Sequence, residues 1–247
     1  MNYTVIILGV VLVIMVYILY RYLSTSSSSL SAKADLKIAN PPMPITVSPQ
    51  SSRYAYGIWV YINTWSSGSY SPIFWRPASG GAATFDGANG AASTNQFSMY
   101  LDKTTPTLFC TIAQQPGAGC TNMPIALTTN FPIQKWVYVV ASVDGQFTDL
   151  YLDGKLVKSI KLACIPVQPG SSTSGDQSNT IVLSKATAPF DAYVAGFKVW
   201  PTPLTPQDVW SNYMSGNGNS MSSMFSSYGV TVGLTKDNVQ QTQFALF

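Results

Sequence analysis

Trp136-Val-Tyr-Val-Val-Ala-Ser-Val-Asp144-Gly145-Gln-Phe-Thr-Asp-Leu-Tyr151-Leu-Asp153-Gly154-Lys-Leu-Val-Lys-Ser-Ile-Lys-Leu162 reads as three β-rich runs separated by two Asp-Gly pairs. Asp and Gly tolerate the positive φ that a tight hairpin turn demands, and Val, Tyr, Phe and Ile fill the flanking runs. The stretch therefore predicts a three-stranded antiparallel meander with turns at Asp144-Gly145 and Asp153-Gly154.

Outward from it, apolar and aromatic runs recur near 54–62, 70–76, 96–102, 107–112, 147–152, 155–162, 179–184 and 193–200. Short runs divided by turn residues argue an all-β antiparallel sandwich of jelly-roll type. Ser79–Asn95 and Gln168–Asn179 read as long loops. One helix is expected: Thr205 as N-cap, Pro206 at the first position, Asp208 three residues after the cap, and Gly216 as the stop.

Three ordered segments resemble laminin-G-like domains of the concanavalin A-like lectin and glucanase superfamily. The meander matches through Trp136, Asp144, Gly145, Tyr151, Asp153 and Gly154. Tyr56-Gly57-Ile58-Trp59-Val60-Tyr61-Ile62 is similar to that family's early strand. Gly196-Phe197-Lys198-Val199-Trp200, followed by Pro203-Leu204-Thr205-Pro206, is similar to its closing strand and short helix. The resemblance spans about residues 44–215 and implies a concanavalin A-like β-sandwich there.

Asn2 to Tyr20 is an uncharged run rich in Val, Ile and Leu. At 1.5 Å per residue it is long enough to cross the hydrocarbon core of a bilayer, so 1–23 reads as a transmembrane anchor whose residues 2–20 sit in lipid. Arg21, Lys33 and Lys37 follow the run, which places the domain on the cytoplasmic or capsid-facing side. Residues 24–43, with Ser24–Ser31 and Pro41-Pro42, read as a tether, and 216–247 as a Gly/Ser/Met-rich C-terminal arm that completes its own sheet or adds a strand to a neighbour.

Composition excludes several chemistries. There is no His, and all ten acidic residues are Asp. Ser-His-Asp and Cys-His nucleophilic sites are ruled out, and zinc loses its commonest nitrogen ligand. The resemblance would bring a pair of catalytic Glu, and the chain has none. The reading is accordingly non-enzymatic, with no resident cofactor. Calcium, which some relatives use, has loop candidates in Asp86, Asp176 and Asn95, although nothing clusters them. Beyond residue 37 ten Lys/Arg face nine Asp, too balanced for a nucleic-acid surface, and Lys155, Lys158 and Lys161 read as a solvated edge strand.

Cys110 and Cys120 flank a Gln-Pro-Gly loop at a spacing that suits a hairpin disulfide, with Cys164 left over; three buried thiols are the other reading. Trp65, Tyr70 and Trp75, near Ser/Gly-rich turns, form a candidate glycan platform, although aromatics more often fill or cover a core. The combination of anchor and laminin-G-like domain resembles minor capsid or membrane-associated proteins of large DNA viruses. It implies a non-enzymatic protein linking an inner membrane to other capsid proteins through the sandwich and the arm. The alternative is a cell-surface glycan-binding lectin or adhesin, which needs the opposite orientation.

Overall fold

The computed structural model describes residues 11–17, 28–47, 49, 51–78, 85, 95–170, 179–183, 190–217, 231–236 and 239–245. Two six-stranded antiparallel sheets face each other. The first runs β1 (Ser28–Asp35), β12 (Ala192–Trp200), β3 (Arg53–Ile62), β8 (Trp136–Asp144), β9 (Phe147–Leu152) and β10 (Lys155–Lys161). The second runs β2 (Met43–Pro44), β11 (Thr180–Leu183), β4 (Ser71–Pro77), β5 (Asn95–Leu101), β6 (Leu108–Ile112) and β7 (Ile125–Thr128). The expected all-β antiparallel sandwich is present, and the meander is its β8–β9–β10 portion.

The two turns of that meander differ. Asp144 pairs with Phe147, which leaves Gly145 and Gln146 as the turn, and only Gly145 has positive φ, at 59°. That is the φ pattern of a II′ turn, with glycine first. Leu152 pairs with Lys155 across Asp153 (φ 48°) and Gly154 (φ 77°), the pattern of type I′.

Period-two alternation builds the core. On β3, Tyr54, Tyr56, Ile58, Val60 and Ile62 point between the sheets against Phe74, Phe97, Met99, Leu108 and Ile112 from the second sheet. The intervening Trp59, with Tyr138, Val140, Tyr151 and Ala195, faces outward and packs on Val209 of the helix Pro206–Met214. That helix begins as the sequence predicts. Thr205 accepts from Asp208 N, the Asp208 side chain returns to the Thr205 backbone, and Pro206 lies in the first turn.

The reading of 24–43 as a tether needs correction. Ser28–Asp35 lies inside the stretch read as a tether but is a sheet strand, antiparallel to β12. Backbone pairing with β12 gives it that place. Met43–Pro44 likewise pairs with β11. Within the arm, β13 (Thr231–Lys236) and β14 (Val239–Ala245) pair with each other as a two-stranded sheet. Most of the run 2–20 lies outside the described residues. Residues 11–17 are helical, with all seven side chains exposed, and among the described residues no helix is long and apolar enough to cross a membrane.

Candidate functional site

The two Asp-Gly aspartates have structural partners. Asp144 meets Arg53, its cross-strand partner, at 2.6 Å from Nε, and both side chains are more than half exposed. Asp153 accepts from Tyr138 N at 2.9 Å and lies 3.5 Å from Lys135 Nζ, so it ties the second turn to β8. Gly154 passes beneath Trp210: a Cβ there would come within 2.7 Å of the indole.

The disulfide joins Cys120 to Cys164, with Cα atoms 5.5 Å apart, and not Cys110 to Cys120. Cys110 is a free thiol on β6, wholly buried, and burial pushes its pKa up to about 12. The physical reason is strand parity. Leu108, Cys110 and Ile112 all face the core, whereas Cys120 sits in the following loop beside the segment after β10. Gln114 fastens the two bridged segments independently. Its side chain accepts from Cys164 N and donates to the Thr121 carbonyl, each at 2.6 Å.

The expected platform does not assemble. Trp75 is 2% exposed, on the outer side of the second sheet against Phe85, whose ring centroid is 5.8 Å away. Trp65 packs partly on the core and donates its indole N–H to the Asp102 carbonyl at 3.2 Å. Tyr70 is half-buried against Tyr100 and lies under Lys103. Of the calcium candidates, Asp86 and Asp176 lie outside the described residues. Asn95 is a buried member of β5 rather than a loop residue. Among the described residues no group of three or more acidic or Cys side chains could hold a metal ion.

A different aromatic array is present. Register pairs Tyr193 of β12 with Tyr61 of β3, and Tyr61 with Trp136 of β8. These side chains share parity with Trp59 and Tyr138, so they stand on the outer face of the first sheet, just beyond the area the helix covers. Their centroids are 6.4 Å apart (Tyr193–Tyr61) and 5.5 Å apart (Tyr61–Trp136), with a 50° tilt at each step. All three rings are half-buried, whereas Trp59 and Tyr138 are buried under Tyr213, which stacks on Trp59 at 5.5 Å and 21°.

Three lysines and three aspartates border the row. Lys33 Nζ sits 5.2 Å from the Tyr193 ring centroid, and Asp35 is the register partner of Tyr193. Lys37 Nζ lies 2.9 Å from Asp191, which also accepts from Asn63 Nδ2 at 2.7 Å. The Lys37 ammonium, then Asn63, holds the Asp191 carboxyl below its usual range. Lys135–Asp153 closes the other end. Two shallow clefts also open at the β8–β9 turn. One of about 390 Å³ is lined by Arg53, Asp144, Pro203 and Thr205; one of about 290 Å³ adjoins the disulfide and Gln146. Neither lining includes an aromatic ring.

Sequence reasoning missed the row because its members come from three distant segments. Each reads singly as a core aromatic, and only strand register brings them side by side. Alternation of Trp59 with Tyr61 and of Trp136 with Tyr138 was the available signal.

Comparison with known proteins places these observations. The family model Laminin_G_3, described as concanavalin A-like lectin/glucanases superfamily, matches residues 34–210. No curated protein matches in sequence. Among solved structures, the botulinum neurotoxin serotype D ligand binding domain in complex with N-acetylneuraminic acid aligns with TM-score 0.51 and 13% identity, over 74% of this chain and 42% of that one. The serotype D binding domain aligns with TM-score 0.51 and 12% identity, over 76% and 46%. A Trypanosoma rangeli sialidase aligns with TM-score 0.48 and 12% identity, over 77% and 28%. The chain thus spans less than half the length of each.

Proposed function

Since the chain belongs to the Laminin_G_3 family of the concanavalin A-like lectin/glucanase superfamily, we propose that it is a non-enzymatic glycan-binding module held at a membrane, with Tyr61, Trp136 and Tyr193 as its sugar-contacting surface. The row carries this reading. Three partly exposed aromatic rings in register offer apolar faces to sugar C–H groups, and their polar tips and neighbours can bond hydroxyls. The neurotoxin domain bound to N-acetylneuraminic acid agrees with a sugar-binding use of this fold.

Absence of catalysis is supported by where the carboxylates go. Of the seven described carboxylates, Asp35, Asp102, Asp144, Asp153, Asp191 and Asp208 hold turns, a helix cap or ion pairs, and Asp149 lies on β9 between Ser142 and Ser159 of the neighbouring strands. The exposed apolar residues 11–17 support burial of the N-terminal run in lipid. Cys120–Cys164 supports a domain facing an oxidising compartment, and this outweighs the three basic residues that point the other way.

Trp136→Ala, probed beside the unaltered protein on an array of immobilised glycans, tests the proposal. Binding is expected to be lost while the unfolding midpoint stays within a few degrees. Equal binding by both proteins, or none by either, counts against it. The second reading, a minor capsid protein of a large DNA virus, keeps the same anchor but uses the face for protein neighbours. The exposed apolar segment 11–17 favours it equally, and recovery of the chain at fixed positions in purified particles would decide for it.

A further inference from the structure

Resting on the glycan-binding reading, we infer that the row takes a single, neutral, linear oligosaccharide laid across the strands, one sugar ring against each aromatic ring. Tyr193, Tyr61 and Trp136 occupy equivalent positions on three adjacent strands, so their line runs perpendicular to the strand direction. A terminal monosaccharide would cover one ring and leave the other two without a role in binding. Centroid steps of 6.4 and 5.5 Å set successive contacts at about one strand spacing, comparable with one pyranose unit per step.

Tilt narrows the class further. Each ring is turned 50° from the next, so the row is not a plane and would not lie flat on a crystalline polymer face. A separate chain, free to rotate at its glycosidic bonds, can present successive rings at successive angles. Charge complementarity points to a neutral chain. Lys33 shares its face with Asp35, Lys37 is paired with Asp191, and Lys135 with Asp153, so a carboxylate or sulfate on the ligand would meet no surplus of cations. Cross-strand aromatic pairs also stabilise sheets, so the test must separate binding from folding.

Calorimetric titration of the full chain with the monosaccharide, trisaccharide and hexasaccharide of soluble β-linked glucose and N-acetylglucosamine provides it. Each comparison is repeated for Tyr61→Ala, Trp136→Ala and the stack-preserving Trp136→Phe, with thermal unfolding of every variant. Affinity should rise about two- to tenfold per added ring up to the trisaccharide and then level, as expected of one aromatic contact per sugar. Trp136→Phe should retain most of it. Equal affinity at all lengths, with row variants weakening every ligand alike, overturns the linear-chain inference and leaves glycan binding intact. So does tighter binding of a sialylated or sulfated trisaccharide, or of an insoluble crystalline polymer. Folded row variants that bind normally overturn the row as the site, and no binding of any sugar overturns the glycan reading itself.

Discussion

Replacing both bridged cysteines, Cys120→Ser with Cys164→Ser, should lower the unfolding free energy by about 4 kcal/mol. The bond closes a separation of 44 residues, and chain entropy assigns such a loop about 4 kcal/mol at 25 °C, between about 3 for fifteen residues and about 4.7 for a hundred. The loss falls mainly on the unfolded state. In the native state Gln114 still bonds Cys164 N and the Thr121 carbonyl, so the two segments keep their places without the cross-link. Urea titration reads the effect as a lower midpoint with a slightly steeper slope, because the uncrosslinked chain exposes more surface. Thiol labelling supplies the companion observation. The unaltered protein should show one reactive thiol, Cys110, and only after denaturation, since that group is buried with its pKa pushed up to about 12. A change under about 1 kcal/mol refutes the entropic reasoning. A Cys110–Cys120 peptide in a non-reducing digest refutes the connectivity.

Other perturbations have equally definite outcomes. Gly57→Ala places a Cβ 2.7 Å from the Tyr138 hydroxyl and 2.9 Å from the Trp200 ring, and should cost about 1–3 kcal/mol by denaturant titration. The twin turn aspartates should separate: Asp153→Ala loses the acceptor for Tyr138 N and costs about 1–3 kcal/mol, whereas Asp144→Ala removes an exposed ion pair and costs at most about 1 kcal/mol. Acid should loosen the Lys37–Asp191–Asn63 clamp. The folded pKa of Asp191 is depressed below 3.8, so its contribution is full above that value and is lost as pH falls through the folded pKa; Asp191→Asn should flatten the stability–pH curve there. Deleting residues 2–20 should move the protein from the membrane pellet to the supernatant, and continued pelleting refutes the anchor.

Legibility in the sequence followed side-chain pattern. The meander, β3, β12 and the capped helix were readable because alternating large apolar residues or capping chemistry mark them locally. Ser28–Asp35 was not, since the alternation of Leu30, Ala32 and Ala34 rests mostly on small side chains after a serine run, and the strand gains its place from backbone pairing with β12. Ile125–Thr128 is short and follows a proline, so it too escaped. Nearness in sequence favours Cys110–Cys120, but strand parity turns Leu108, Cys110 and Ile112 inward and leaves Cys120 to Cys164. The aromatic row depends on long-range register among residues 61, 136 and 193, which no local pattern states. Trp75 shows the converse. Its place beside a turn reads as a surface position, and the ring is instead covered by Phe85.

Indole N–H resonances of the six tryptophans, followed during titration with the soluble trisaccharide, test the central claim most directly. Trp136 should shift with saturation while Trp75, buried on the opposite sheet, and Trp65, bonded to the Asp102 carbonyl, stay in place. Movement of Trp75 or Trp65 with a stationary Trp136 would contradict the account and relocate the binding surface to the second sheet.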